Sequence, residues 1–134
     1  MENISIRKNE ENMIKVPDTL QELFNKVSLH LLTQGQMSLN ADGLCAYRGE
    51  NGLMCAAGVL IPDEAYTPNM ETLRWSTLVD RHLIENKFRN EINELQNIHD
   101  HGSRTRKDPG ENAIQWKKEL IEFAKEYNLT HNIE

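Results

Sequence analysis

Residues 43–66 read GLCAYRGENGLMCAAGVLIPDEAY, and they hold both cysteines and four of the seven glycines of the chain. Elsewhere apolar residues recur at the three- and four-residue spacing of amphipathic helices, so whether the domain carries a sheet turns on this stretch. Leu44 to Arg48 and Leu53 to Ala56 are short strand candidates. Between them lies Gly49-Glu50-Asn51-Gly52, in which Asn51-Gly52 is a strong hairpin-turn signal. One small hairpin is the economical reading. A lone hairpin is marginal in water, so its apolar side is expected to lie on the helices, with Ala56-Ala57-Gly58 passing close to another element.

Upstream, residues 1–16 are polar with isolated apolar positions and read as a flexible N-terminal arm or an added edge segment, bounded by Pro17. Thr19 with Glu22 forms a capping box, and Leu20, Leu23, Phe24, Val27 and Leu31 follow at helical spacing. A helix from about Thr19 to Thr33 is predicted, with Gly35 as its left-handed cap.

Downstream, Thr67-Pro68 reads as a helix start, with Leu73, Leu78 and Val79 as its apolar stripe. Ile84, Phe88, Ile92, Leu95 and Ile98 continue an amphipathic run to about Asp100, and the pattern leaves open whether residues 70–100 form one helix or two. Asp108-Pro109-Gly110-Glu111 begins a last helix whose seam is Trp116, Leu120, Phe123 and Tyr127. The expected fold is therefore α+β and mainly helical: three to four helices packed around one small antiparallel β-hairpin, with 17–134 as a single globular domain.

At 134 residues the chain is the size of one domain and long enough to bury an ordinary core. Its formal charge of −6 and the lack of a long basic stripe argue against direct nucleic-acid binding. There is no apolar leader at the N-terminus and no run long enough for a membrane span, so the expectation is a soluble cytoplasmic protein without a membrane partner. In that compartment Cys45 and Cys55 are expected as reduced thiols, buried as small apolar side chains.

Four constellations have the residue types of a site. Arg48-Gly49 with Asn51-Gly52, and Gly58 beyond, would suit an anion, because glycine lets backbone amides approach and arginine offers a planar fork. Cys45 or Cys55 with His99 and Asp100 supplies a thiol nucleophile, a base and an orienting carboxylate. The apolar neighbours Met54, Ala56 and Ala57 weigh against a reactive thiolate there. Cys45, Cys55, His99 and His101 could form a zinc set, but their spacing matches no usual ligand pair, and neither a metal nor a cofactor is expected. His30 and His82 fall within helical patterns and read as core-edge residues. Finally, Arg104, Arg106 and Lys107 make a basic loop able to grip a phosphate or an acidic surface.

The string Cys45-Ala46-Tyr47-Arg48-Gly49, then Gly52-Leu53, then Cys55-Ala56-Ala57-Gly58-Val59-Leu60-Ile61-Pro62-Asp63-Glu64-Ala65-Tyr66 resembles a pattern in small uncharacterised proteins of bacteria and their phages. The similarity extends to Leu31-Leu32-Thr33-Gln34-Gly35 and, more weakly, to Leu95-Gln96 and Ile98-His99-Asp100. It carries no activity across. What it implies is a bacterial host cytosol and an accessory, counter-defence role of a phage or mobile element.

The resulting expectation is a non-enzymatic binding protein that inhibits a host protein or sequesters a small anionic nucleotide-like ligand. Its recognition surface would comprise Tyr47, Arg48, Gly49, Asn51, Gly52, Tyr66, His99, Asp100, Arg104 and Arg106. The alternatives are a cysteine-dependent hydrolase or transferase using Cys45 or Cys55 with His99 and Asp100, and a structural homo-oligomer or virion-associated protein.

Overall fold

The computed structural model describes residues 13–102 and 109–133. Among them are four α-helices: α1 (Leu20–Gln34), α2 (Trp75–Asp80), α3 (Arg89–Asp100) and α4 (Pro109–Glu126). Thr19 caps α1 by accepting from the Glu22 N–H at 3.1 Å. Gly35, at φ 68°, ends it by donating to the Leu31 carbonyl. The buried face of α1 is Leu23, Phe24, Val27, Ser28 and Leu31. On α4, Trp116, Leu120, Phe123 and Ala124 are buried, and α4 packs on both α1 and α3. Phe24 stacks on Phe123 with centroids 5.7 Å apart. Each such side chain removed from water contributes roughly 1.5–3 kcal/mol, so this seam is the main source of cohesion.

The helix expected from Thr67 is divided. Pro68–Thr72 is a 3-10 turn, Leu73 and Arg74 are extended, and α2 then lasts only to Asp80. It closes in a Schellman motif, with His82 N–H donating to the Val79 carbonyl and Leu83 N–H to that of Leu78. His82 takes the left-handed position of that motif at φ 59°. Phe88, at φ 56°, precedes α3, so α2 and α3 are separate helices. Ile84 lies between them and pairs with Ile14 in a single parallel bridge, which leaves Ile14 and Val16 buried. The remainder of the arm expected over 1–16, residues 1–12, lies outside the described residues.

The expected α+β architecture is corrected here: the described residues contain no strand, sheet or hairpin, and the fold is helical. Asn51 and Gly52 do turn the chain, at φ 61° and 76°, inside a 3-10 turn over Glu50–Gly52. The flanking segments, however, share only the isolated bridge Arg48↔Met54, while Cys45 pairs upstream with Leu39. The reason is local. Successive N–H groups of a strand point to opposite sides, whereas those of Tyr47 and Arg48 both donate to the carboxylate of Glu71, at 2.9 Å each. Ser38, fully buried, places its hydroxyl 2.7 Å from the Ala46 carbonyl and takes up another ladder position. Side chains from outside the segment thus satisfy groups that a partner strand would have bonded.

The expected close passage at Ala56-Ala57-Gly58 is seen in a specific form. A Cβ on Gly58 would collide with the backbone carbonyl of Tyr47, so glycine is required by the crossing of two loops. No helix among the described residues is long and apolar enough to cross a membrane.

Candidate functional site

Two carboxylates organise the loop region. Glu71 accepts from Tyr47 N–H, Arg48 N–H and the Tyr66 hydroxyl, the last at 2.6 Å. Burial, followed by the bond to Glu71, pushes the Tyr66 hydroxyl up to about 12. Tyr47 donates its hydroxyl to the Leu73 carbonyl at 2.6 Å, and burial, with smaller contributions from Cys55 and Glu71, raises its pKa as well. The Arg48 guanidinium makes three hydrogen bonds. It donates to the carbonyls of Gly58 and Ile61 at 2.6 Å each, reaches Asp63 at 3.0 Å and lies over the Tyr66 ring. Its fork therefore ties down the 58–63 loop.

Asp100, the last residue of α3, is the second centre. Its Oδ1 lies 3.0 Å from Nδ1 of His99 and 2.9 Å from Nε2 of Gln96, and the Cys45 thiol also bonds the carboxylate. Partial burial would raise the Asp100 pKa, but these hydrogen bonds outweigh it and hold the carboxyl below its ordinary range. Gln96 bonds onward, its carbonyl accepting from Ala57 N–H at 2.9 Å. His99 is buried against Trp116, and its Nε2 accepts the backbone N–H of Ser38 at 2.9 Å. A backbone N–H can only donate, so the ring carries its proton on Nδ1 and gives it to Asp100. His99, Asp100 and Gln96 together fasten α3 to the loops at Ser38, Cys45 and Ala57.

Above this network opens a cleft of about 630 Å³, within the size range of small-molecule sites. One wall is a face of α3, with Asn93, Gln96, Asn97 and Asp100 one helical turn apart in pairs. The other wall is residues 71–76, with Glu71 in the 3-10 turn, Leu73 and Arg74 in the extended break and Ser76 in the first turn of α2. Cys45, Tyr47 and Ala57 form the floor. Asn93, Asn97 and Arg74 are exposed, and their side chains, with that of Ser76, make no bond to another described residue. Asp100 is 37% exposed and faces solvent with a carboxylate already oriented from behind.

The arrangement is poorly suited to thiol catalysis. The structure brings Cys45, His99 and Asp100 together, with possible ligand atoms within 4.8 Å of one another. The carboxylate, however, sits between thiol and imidazole, and both His99 nitrogens are engaged, so no ring nitrogen is free to take the Cys45 proton. Cys55 is buried, its sulfur accepts from Gly58 N–H, and burial pushes its thiol up to about 12. Metal binding meets the same obstacle. A metal on Nδ1 of a neutral ring requires a proton on Nε2, which would face the Ser38 donor. Cys55 and His101 do not complete a set, since His101 pairs with Glu119 at 2.5 Å.

Of the residues expected to form a recognition surface, Tyr47 and Asp100 line the cleft, and His99 supports its floor. Arg48 and Tyr66 lie outside the lining, bonded to the lining residue Glu71, while Gly49, Asn51 and Gly52 form the neighbouring turn. Arg104 and Arg106, with Lys107, lie outside the described residues. Sequence reasoning missed Glu71, Arg74, Ser76, Asn93, Gln96 and Asn97 as cleft residues. The polar face 93, 96, 97, 100 was the available signal, but any solvated helix face has that pattern. No family model matches this chain, and no significant match to a curated protein or a solved structure was found.

Proposed function

We propose that the protein acts by binding, and that it holds a small polar ligand in the cleft between α3 and the 71–76 segment. The observation that carries this reading is the contrast between the two sides of the site. Behind the surface, Ser38, Cys45, Gln96 and His99 fix the Asp100 carboxylate, while Arg74, Ser76, Asn93 and Asn97 present side chains that bond no other described residue. Rigid backing with available polar groups is what recognition needs, because little freedom is lost when a ligand arrives. Catalysis finds less support, since neither cysteine has an available base beside it. A ligand held by Arg48 also finds less support, because its guanidinium already serves Gly58, Ile61 and Asp63.

Thermal melting against a panel of small metabolites tests the reading, with Asn97→Trp as the control that fills the cleft from an exposed helix position. A ligand specific to the folded state raises the apparent Tm. The expected result is stabilisation of the natural protein by at least one compound and its loss in Asn97→Trp. Equal stabilisation of both proteins, or of neither, would overturn the proposal.

A further inference from the structure

We infer that the cleft takes a zwitterion, with a ligand ammonium on Asp100 and a ligand carboxylate or phosphate on Arg74; this rests on the binding reading above. Among the described residues, three charged side chains line the cleft: Glu71, Asp100 and Arg74. Glu71 accepts from Tyr47, Arg48 and Tyr66 and Asp100 from His99, Gln96 and Cys45; of the two, Asp100 ends a helix and keeps a side chain 37% exposed to a ligand donor. Its own partners among Cys45, Gln96 and His99 orient it without cancelling its charge. Asp100 also ends a 12-residue helix, where the aligned peptide dipoles add negative potential. A cation at that end is favoured twice.

Arg74 supplies the opposite pole. It is exposed and has no ion pair with a described residue, so its fork can donate to a carboxylate or phosphate at the other wall. Asn93 and Asn97, four residues apart on α3, offer carboxamides that can read an amide or hydroxyl between the poles. Among the described residues two carboxylates line the cleft against one arginine, which disfavours a purely anionic ligand. A simple diamine would in turn leave Arg74 unmatched. Amino acids and short peptides carry both charges together with amide groups, and they are the chemical class that fits.

Three sets of probes separate the possibilities: pools of free amino acids and dipeptides, putrescine as cation alone, and citrate with AMP as anions alone. Tm is measured for the natural chain, Arg74→Gln and Asp100→Asn, and iodoacetamide labelling of Cys45, a cleft residue, reports occupancy directly. Asp100→Asn keeps an acceptor for His99, and Arg74 is exposed. The expected result is stabilisation and slowed Cys45 labelling by a zwitterion pool, with binding weakened about tenfold or more by each variant. Protection by an anion or by putrescine, without a zwitterion response, would overturn the ligand assignment while leaving the cleft as a binding site. Zwitterion binding unaffected by Asp100→Asn or Arg74→Gln would overturn it as well. If no probe changes either Tm or labelling, the binding reading fails together with the assignment.

Discussion

The backbone N–H of Ser38 donates to Nε2 of His99 over 2.9 Å, joining residues 61 positions apart. That contact fixes the imidazole tautomer, turns Nδ1–H toward Asp100 and so sets the carboxylate at the head of the cleft. Replacing His99 by alanine would leave a buried donor unsatisfied and open a cavity beside Trp116. His99→Ala is predicted to cost about 3–5 kcal/mol in urea denaturation.

Arg48 is predicted to matter for stability and not for cleft binding. Arg48→Ala removes the donors to Gly58 and Ile61, at a predicted cost of about 2 kcal/mol. Calorimetry of the same variant with a cleft ligand should give unchanged affinity, and a large loss of affinity would return Arg48 to the site.

The two loop glycines should respond differently to alanine. At Gly58 the added Cβ meets the Tyr47 backbone, which cannot retreat cheaply, and a loss above about 3 kcal/mol is expected. At Gly52, φ 76° with nothing within 4 Å, only the left-handed backbone is penalised, by about 1–2 kcal/mol. Chemical denaturation of both variants checks the order.

How far the sequence disclosed this architecture depends on range. Thr19, Glu22 and Gly35 mark the ends of α1 because caps are local chemistry, and the seam of Trp116, Leu120 and Phe123 was visible for the same reason. The 44–56 segment was misread as a hairpin because what decides it is distant: Glu71 taking Tyr47 and Arg48, and His99 taking Ser38. His82 and Asn128 close helices where glycine would have been the recognisable signal. The meeting of Cys45 with His99 and Asp100 was legible as a set of residue types, but the order of atoms that governs its chemistry was not.

His82 offers a direct test of the α2 terminus. It is exposed and occupies a left-handed position, so His82→Gly removes strain without removing packing. A gain of about 0.5–1 kcal/mol in thermal or urea unfolding is expected.

Stability should also fall on mild acidification. Burial holds the His30 ring below its ordinary 6.5 while Nε2 bonds the Met54 carbonyl at 2.8 Å. The unfolded chain then takes the proton first, so stability is lost as pH falls below the unfolded value of 6.5. His30→Gln should flatten the dependence of Tm between about pH 7 and pH 5. An unchanged slope would assign the acid sensitivity elsewhere.

The proposal that His99 and Asp100 frame a binding cleft, and do not serve as a base for Cys45, turns on the tautomer of His99. Long-range proton–nitrogen NMR of the His99 ring tests it most directly. The expected result is a protonated Nδ1 bonded to Asp100 and a bare Nε2 facing Ser38. A proton on Nε2, with Nδ1 free to accept from the Cys45 thiol, would contradict it and restore the cysteine-dependent mechanism.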